Sequence, residues 1–318
     1  MFEKFKRFSY NREEYKGGYL RESLKALINK TIFYEYSLPN DAKEINRINL
    51  SNSYDDCYSY SNDDNLVELI YNSIVEYSFN EFDLTKHDYS TLLSKALITK
   101  LKYKEFQTET TKIKYGFYGE VLLYTFLYHF YKSKPVISRG YFYNPLENSE
   151  TKGYDSYHLI ENDDTVELWF AEVKFRDTLW SGAKSAIDGL DKALSDGYLE
   201  TNIFAMDNHL NNLNIEGSKV ELILNEWNVN PSIKIIDEIR KHNMTLVYPV
   251  LLIYPGKNID YDKRIQKAVD KINEKFKEKT YNLSINYKLF FIFLPISEVK
   301  KVKQEVIQWI ESKKPLLS

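Results

Sequence analysis

The sequence predicts an α/β fold with a mixed central sheet flanked by helices. Two observations point there. Residues 165–175, TVELWFAEVKF, are apolar at alternating and intervening positions alike (Leu168, Trp169, Phe170, Ala171, Val173, Phe175), the pattern of a strand covered on both faces. From residue 111 onward, strand-like segments are interspersed with helical ones, the order expected of helices layered on a sheet.

Along the chain, LRESLKALINKTI, NLVELIYNSIVEYSF and YSTLLSKALITKL carry helical spacing within residues 1–110. This portion therefore reads as a mostly helical elaboration, with the polar stretch 50–64 as a surface loop. No blunt linker separates it from residues 111–318, so it is compatible with belonging to the same fold. Residues 115–131 predict a buried helix and 135–143 a strand, followed by a loop. Residues 154–160 and 165–175 form a hairpin around the polar turn ENDD. A helix follows through SGAKSAIDGLDKALSDGY, with Ile187, Leu190, Leu194 and Tyr198 on one stripe. Next come a helix near 231–242, a strand at 246–254, a basic helix near 260–279, a strand at 288–295 and a final helix at 297–312.

Composition narrows the function classes. A formal charge of −3 from 43 basic and 46 acidic residues argues against a freestanding nucleic-acid coat. A catalyst meeting nucleic acid through a local patch or a partner remains compatible. The lone Cys57 excludes an internal disulfide framework and cysteine-based zinc clusters. No apolar run approaches the ~20 residues needed to span a bilayer, and the N-terminus lacks a signal-peptide core, so the expected location is cytoplasmic. The sequence has no G-x-x-x-x-G-K-[ST] phosphate loop and no G-x-S-x-G elbow.

Glu-x-Lys, the reduced signature of many metal-dependent nucleases, occurs at Glu14–Lys16, Glu150–Lys152, Glu172–Lys174, Glu298–Lys300 and Glu311–Lys313. On a strand, residues i and i+2 share a face, so Glu172 and Lys174 project together, about 6–7 Å apart along the backbone. On a helix those positions lie about 200° apart and do not converge. Glu298 and Lys300 open a helix whose apolar stripe is Val299, Val302, Val306, Trp309 and Ile310, and read as solvated surface. The triplets at 14, 150 and 311 sit in polar surroundings.

Other acids converge on the 172–174 triplet. A hairpin turned at ENDD brings Asp155, at the start of one strand, beside the end of the next; alone, Asp155 also reads as a turn residue after Gly153. Glu120 shares a helical face with Leu123, Tyr124, Leu127 and Tyr131. A carboxylate there needs a cation or a donor, so Glu120 is either a site residue or half of a buried ion pair. His158 falls on the strand face opposite Asp155 and reads as structural or substrate-facing.

Helical Glu, then Asp, then Glu-x-Lys after a hairpin is the order of the PD-(D/E)xK nucleases, which have a restriction-endonuclease-like core. On that pattern the catalytic set is Glu120, Asp155, Glu172 and Lys174. Asp155 and Glu172, with the Val173 carbonyl, would hold Mg²⁺, or Mn²⁺ in its place, and Glu120 would complete the shell or support a second ion. Lys174 would orient the attacking water and offset transition-state charge. Lys132, Lys134, Arg139, Arg176 and Lys184 are the nearest cations in sequence, and helix 263–279 is a second basic candidate with interleaved acids.

The series YGFYGEVLL, GYDSYHLI, LWFAEVKFRD and SAIDGL resembles the HamA family, nuclease subunits of the Hachiman antiphage defence system, most clearly over residues 115–195. The resemblance implies a DNA-cutting effector held in check beside a helicase-family ATPase, HamB. A silent partner-binding subunit with a nuclease fold and a sequence-specific restriction endonuclease are the rival readings.

Overall fold

In a computed structural model, residues 20–41, 43–46, 55–79, 88–137, 143–144, 149–150, 153–162, 165–207, 215–256, 259–276 and 280–317 are described. A seven-stranded sheet runs β1 (Ile32–Leu38), β2 (Asp55–Tyr60), β9 (Asn286–Ile296), β8 (Met244–Pro255), β7 (Val166–Phe175), β6 (Ser156–Glu161), β3 (Lys134–Pro135). Its four central strands, β2, β9, β8 and β7, are parallel; β1, β6 and β3 pair antiparallel. The short strands β4 (Tyr143–Asn144) and β5 (Ser149–Glu150) pair separately. This is the mixed α/β architecture that the sequence predicts.

Both faces are covered, as the doubly apolar strands require. On one face lie α6 (Leu179–Ala193), α7 (Asp196–Asp207), α8 (Lys219–Val229), α9 (Ile235–Lys241) and α10 (Tyr261–Lys275), packed with Leu168, Phe170, Val250 and Leu252. On the other lie α1 (Glu22–Thr31), α2 (Asp63–Ser78), α3 (Tyr89–Lys95), α5 (Phe117–His129) and α11 (Val299–Glu311), packed with Trp169, Ala171, Leu251 and Ile253. A π-helical turn (Ala96–Lys100) and the single-turn α4 (Glu109–Lys112) link α3 to α5.

The stretch 50–64, which reads as a polar surface loop, contributes β2 instead. Its acids are satisfied at long range: Asp55 accepts from the Phe291 amide at 2.8 Å, and Asp56 accepts from Ser37 Oγ and the Tyr131 hydroxyl at 2.6 and 2.7 Å. Cys57 and Tyr58 fill the two cores from opposite faces. Polar letters thus hide a buried strand. Of the predicted strand 135–143, Pro135 belongs to β3 and Tyr143 to β4, and residues 138–142 lie outside the described residues.

Arg21 and Leu317 meet on α2. Arg21 Nε donates to Glu76 Oε1 at 2.8 Å and Nη2 to the Asn72 carbonyl at 2.7 Å, while Nη1 donates to the Leu317 carbonyl. The Leu317 amide donates to Asn72 Oδ1 at 2.8 Å. The Glu76 side chain is 0% exposed, and burial pushes its carboxyl above the usual range, with Arg21 opposing. Removing Arg21 strands that carboxylate. Arg21→Ala is expected to cost roughly 3–5 kcal/mol of unfolding free energy, read from denaturant midpoints; a loss below about 1 kcal/mol, the surface-pair level, would show that Arg21 is dispensable.

Candidate active site

β7 runs beyond its hairpin partner. Ser156 pairs with Ala171, where β6 begins, so the segment 172–175 keeps β8 on one side and loses β6 on the other. The amide of Val173 donates to Asp155 Oδ2 at 2.9 Å, and the Asp155 amide donates to the Ala171 carbonyl at 2.9 Å. The Asp155 carboxylate therefore takes the place of the next rung. It is bonded to the peptide that joins Glu172 to Val173.

Glu172 and Lys174 project from the same face of β7, the face covered by α6, and their side chains form an ion pair. A Cβ added at Gly182 of α6 would lie 3.8 Å from those of Lys174 and Arg176, so the first turns of that helix rest over the pair. The side chains retain 21% and 14% exposure, respectively. At that burial, desolvation offsets much of the Coulomb gain, while removing either partner strands the other.

Sequence reasoning misses one partner of this pair, Tyr248 on β8. Its hydroxyl donates to Glu172 Oε2 at 2.7 Å, and the residue is 1% exposed. Burial first, and then the negative charges of Glu172 and Asp155, push the phenol well above its ordinary range. It stays a donor. The parallel register supplies the signal in retrospect: Glu172 lies opposite Val250, and Tyr248 is two residues earlier on the same face.

Glu120 is placed differently. α5 packs on the other face of β7, where Gly119 permits close approach: a Cβ there would come within 3.1 Å of Val173 and 3.2 Å of Phe175. Glu120 accepts a hydrogen bond from the Tyr77 hydroxyl of α2. The sheet thus separates the helix carrying Glu120 from the face carrying Glu172 and Lys174. Among the described residues, no group of three His, Cys, Asp or Glu side chains is arranged to hold a metal ion. Glu120, Asp155 and Glu172, expected to share a shell or to serve two ions, do not form such a group of three here. The two-carboxylate set of Asp155 and Glu172 does suit Mg²⁺, a hard cation that takes one or two protein carboxylates and keeps several waters.

The remaining predictions sort by position. Glu298 is the exposed N-cap of α11, with Lys300 exposed in its first turn. Glu311 pairs with Lys112. His158 is buried, hydrogen-bonded to Ser133 Oγ at 2.9 Å, and burial pushes it down to about 3. It faces the core opposite Glu172. Arg176, before α6, and Lys184, on it, are exposed, whereas Lys134 pairs across from Leu159 at the sheet edge, well before Glu172 along the hairpin. Glu14, Lys16, Arg139 and Lys152 lie outside the described residues.

The family model described as HamA matches residues 25–310 of the chain. No curated protein sequence matches it.

The Tyr248 bond makes a direct prediction. Tyr248→Phe keeps the ring and deletes the donor, so unfolding free energy should fall by about 1.5–3 kcal/mol, the range for a hydrogen bond to a charged group. Urea unfolding measures this, and an unchanged midpoint would mean that Glu172 is equally well solvated without the phenol.

Proposed function

The chain belongs to the HamA family of the Hachiman antiphage defence system, and on that basis we propose that it is a metal-dependent nuclease that cuts DNA as the effector of such a system. The observation that carries the proposal is the hydrogen bond from the Val173 amide to Asp155, which gathers Asp155, Glu172 and Lys174 at the end of one strand.

In this reading Asp155 and Glu172, with the Val173 carbonyl, would hold Mg²⁺, or Mn²⁺ in its place. When bound, such an ion polarises a phosphate and lowers the pKa of a coordinated water. The chain's own residues do the positioning. Tyr248 fixes one oxygen of Glu172, so the carboxylate keeps its orientation when Lys174 turns from it toward the phosphate. Lys174, cationic beside an acid, orients the attacking water and offsets charge in the pentavalent transition state. Glu120 enters as a residue of the neighbouring helix, with Tyr77 as its partner, and not as a ligand of the same ion. A helicase-family ATPase, HamB-like, would supply the motor and restrain cutting. Among the described residues, no helix is long and apolar enough to cross a membrane.

A second reading, a silent subunit that retains the nuclease fold, is favoured by the lack of a three-carboxylate group among the described residues. Cleavage assays with Mg²⁺ separate the two. Glu172→Gln and Lys174→Ala are each expected to lower cleavage by at least about 100-fold while melting curves stay cooperative. Glu298→Ala and Lys300→Ala should cut like the parent, and Glu120→Gln should retain cleavage. Folded Glu172 and Lys174 variants that cut like the parent would sink the site, and a Glu120→Gln loss equal to that of Glu172→Gln would return Glu120 to the ligand set.

Regulation gives a separate expectation. The complex with the ATPase should be silent until its DNA and ATP are supplied. Equal cleavage rates with and without the partner, under every nucleotide condition, would leave an ordinary endonuclease.

A further inference from the structure

The first turn of α6 carries an exposed tryptophan directly beyond the strand that holds Glu172 and Lys174. Trp180 is 37% exposed. Two ammonium groups from α10 lie over its ring, Lys271 Nζ at 4.6 Å and Lys275 Nζ at 5.1 Å from the centroid. Lys271 also pairs with Glu274 at 3.1 Å, whereas Lys275 makes no ion pair among the described residues. Two residues beyond Trp180, Gly182 rests against Lys174 and Arg176. Arg176 and Lys184 are exposed on the same segment, with the exposed Asp177 between them in sequence.

The ring attracts each ammonium through its quadrupole, but the two cations repel one another. An anion placed between them removes that repulsion. The lysine stems are long enough for either ammonium to leave the ring for such an anion, which uncovers an aromatic face. A lone anion would use only the lysines, and an acidic peptide would leave the ring unmatched. A single-stranded nucleic acid uses both, because its phosphates meet the lysines and an unpaired base stacks on the indole. In a duplex the base faces are already stacked on each other.

We propose that Trp180, Lys271 and Lys275 form a ledge that binds single-stranded nucleic acid beside the Asp155–Glu172–Lys174 site. This deepens the nuclease reading and rests on it for the meaning of the ledge's position. Binding itself is measured without cleavage.

The test uses the full chain carrying Glu172→Gln, so that bound strands persist, and an oligothymidylate of about twenty nucleotides followed by fluorescence anisotropy over a salt series. Adding Trp180→Ala should weaken binding by about tenfold, and Trp180→Phe should restore most of it. Adding Lys271→Ala with Lys275→Ala should reduce the slope of log affinity against log salt by about 1.4, the value for two single-strand phosphate contacts. Lys241→Ala, at an exposed position of α9, serves as the control and should change neither quantity. Trp180 is surface-exposed, and melting curves of each variant confirm that folding persists. Absence of binding by the chain overturns the proposal, as do Trp180 and lysine variants that bind with the parent's affinity and slope. Equal losses on the single strand and on a blunt duplex overturn the assignment to unpaired bases. A parent chain that binds in this way yet fails to cut with Mg²⁺ would remove the nuclease reading and leave the ledge standing.

Discussion

Strand β7 has to carry an ion pair, Glu172 with Lys174, in the middle of a sheet covered on both faces, and much of the local structure follows from how that is done. Its first six residues lie between two cores and are almost all apolar. Glu167, the one charge among them, pairs with Lys288, while Glu172 and Lys174 fall at the end, where β6 has stopped and water reaches one side. There the structure supplies each charged group with a partner. Lys174 answers Glu172, Tyr248 answers the second Glu172 oxygen, and Asp155 answers the backbone amide left behind by β6. Hairpin register fixes where Asp155 falls, and the parallel register with β8 fixes where Tyr248 falls. Burying a charge without such partners costs several kcal/mol, so these registers and the charged pair are mutually dependent.

How much of this was legible in the sequence depends on whether the decisive contacts are local. The doubly apolar run 168–175 marks β7, and two-residue periodicity puts Glu172 and Lys174 on one face. The ENDD turn places Asp155 beside them. Those inferences need only spacing and hairpin geometry. Strand β2 was hidden because its acids find partners far away in sequence, at Phe291, Tyr131 and Ser37. Tyr248 was hidden for a related reason: a partner across a parallel pair is set by register, which the apolar runs 246–254 and 165–175 do not define on their own.

Glu120 shows a different limit. The α5 sequence, FYGEVLLYTFLYH, is apolar around nearly its whole circumference. Such a helix announces burial but not which side faces the sheet. Gly119 decides it, since only a residue without a Cβ lets α5 settle on Val173 and Phe175 without displacement. Once that contact is made, Glu120 is turned toward α2, where the Tyr77 hydroxyl receives it. The same packing brings α11 over the end of β7. There Lys303 donates to the Phe175 carbonyl at 3.3 Å, and burial pushes its ammonium down to about 8. Helices on this face seal the strand end. On the α6 face the Glu172 and Lys174 side chains keep 21% and 14% exposure, respectively.

That asymmetry bears on how a polyanion would approach. The chain is slightly acidic overall, so attraction has to be local. Lys134 sits on β3 at the far edge of the sheet, across two strands from β8 and low along the hairpin. Arg176, Lys184, Lys271 and Lys275 instead belong to the segments that cover the Glu172–Lys174 face or leave its end. Charges separated by more than a Debye length, about 8 Å at physiological salt, do little to help one another at an exposed surface. Cations beside the strand end therefore outweigh equally numerous ones at the edge. A strand guided by them would run along α6 and α10 and past the partly exposed Lys174.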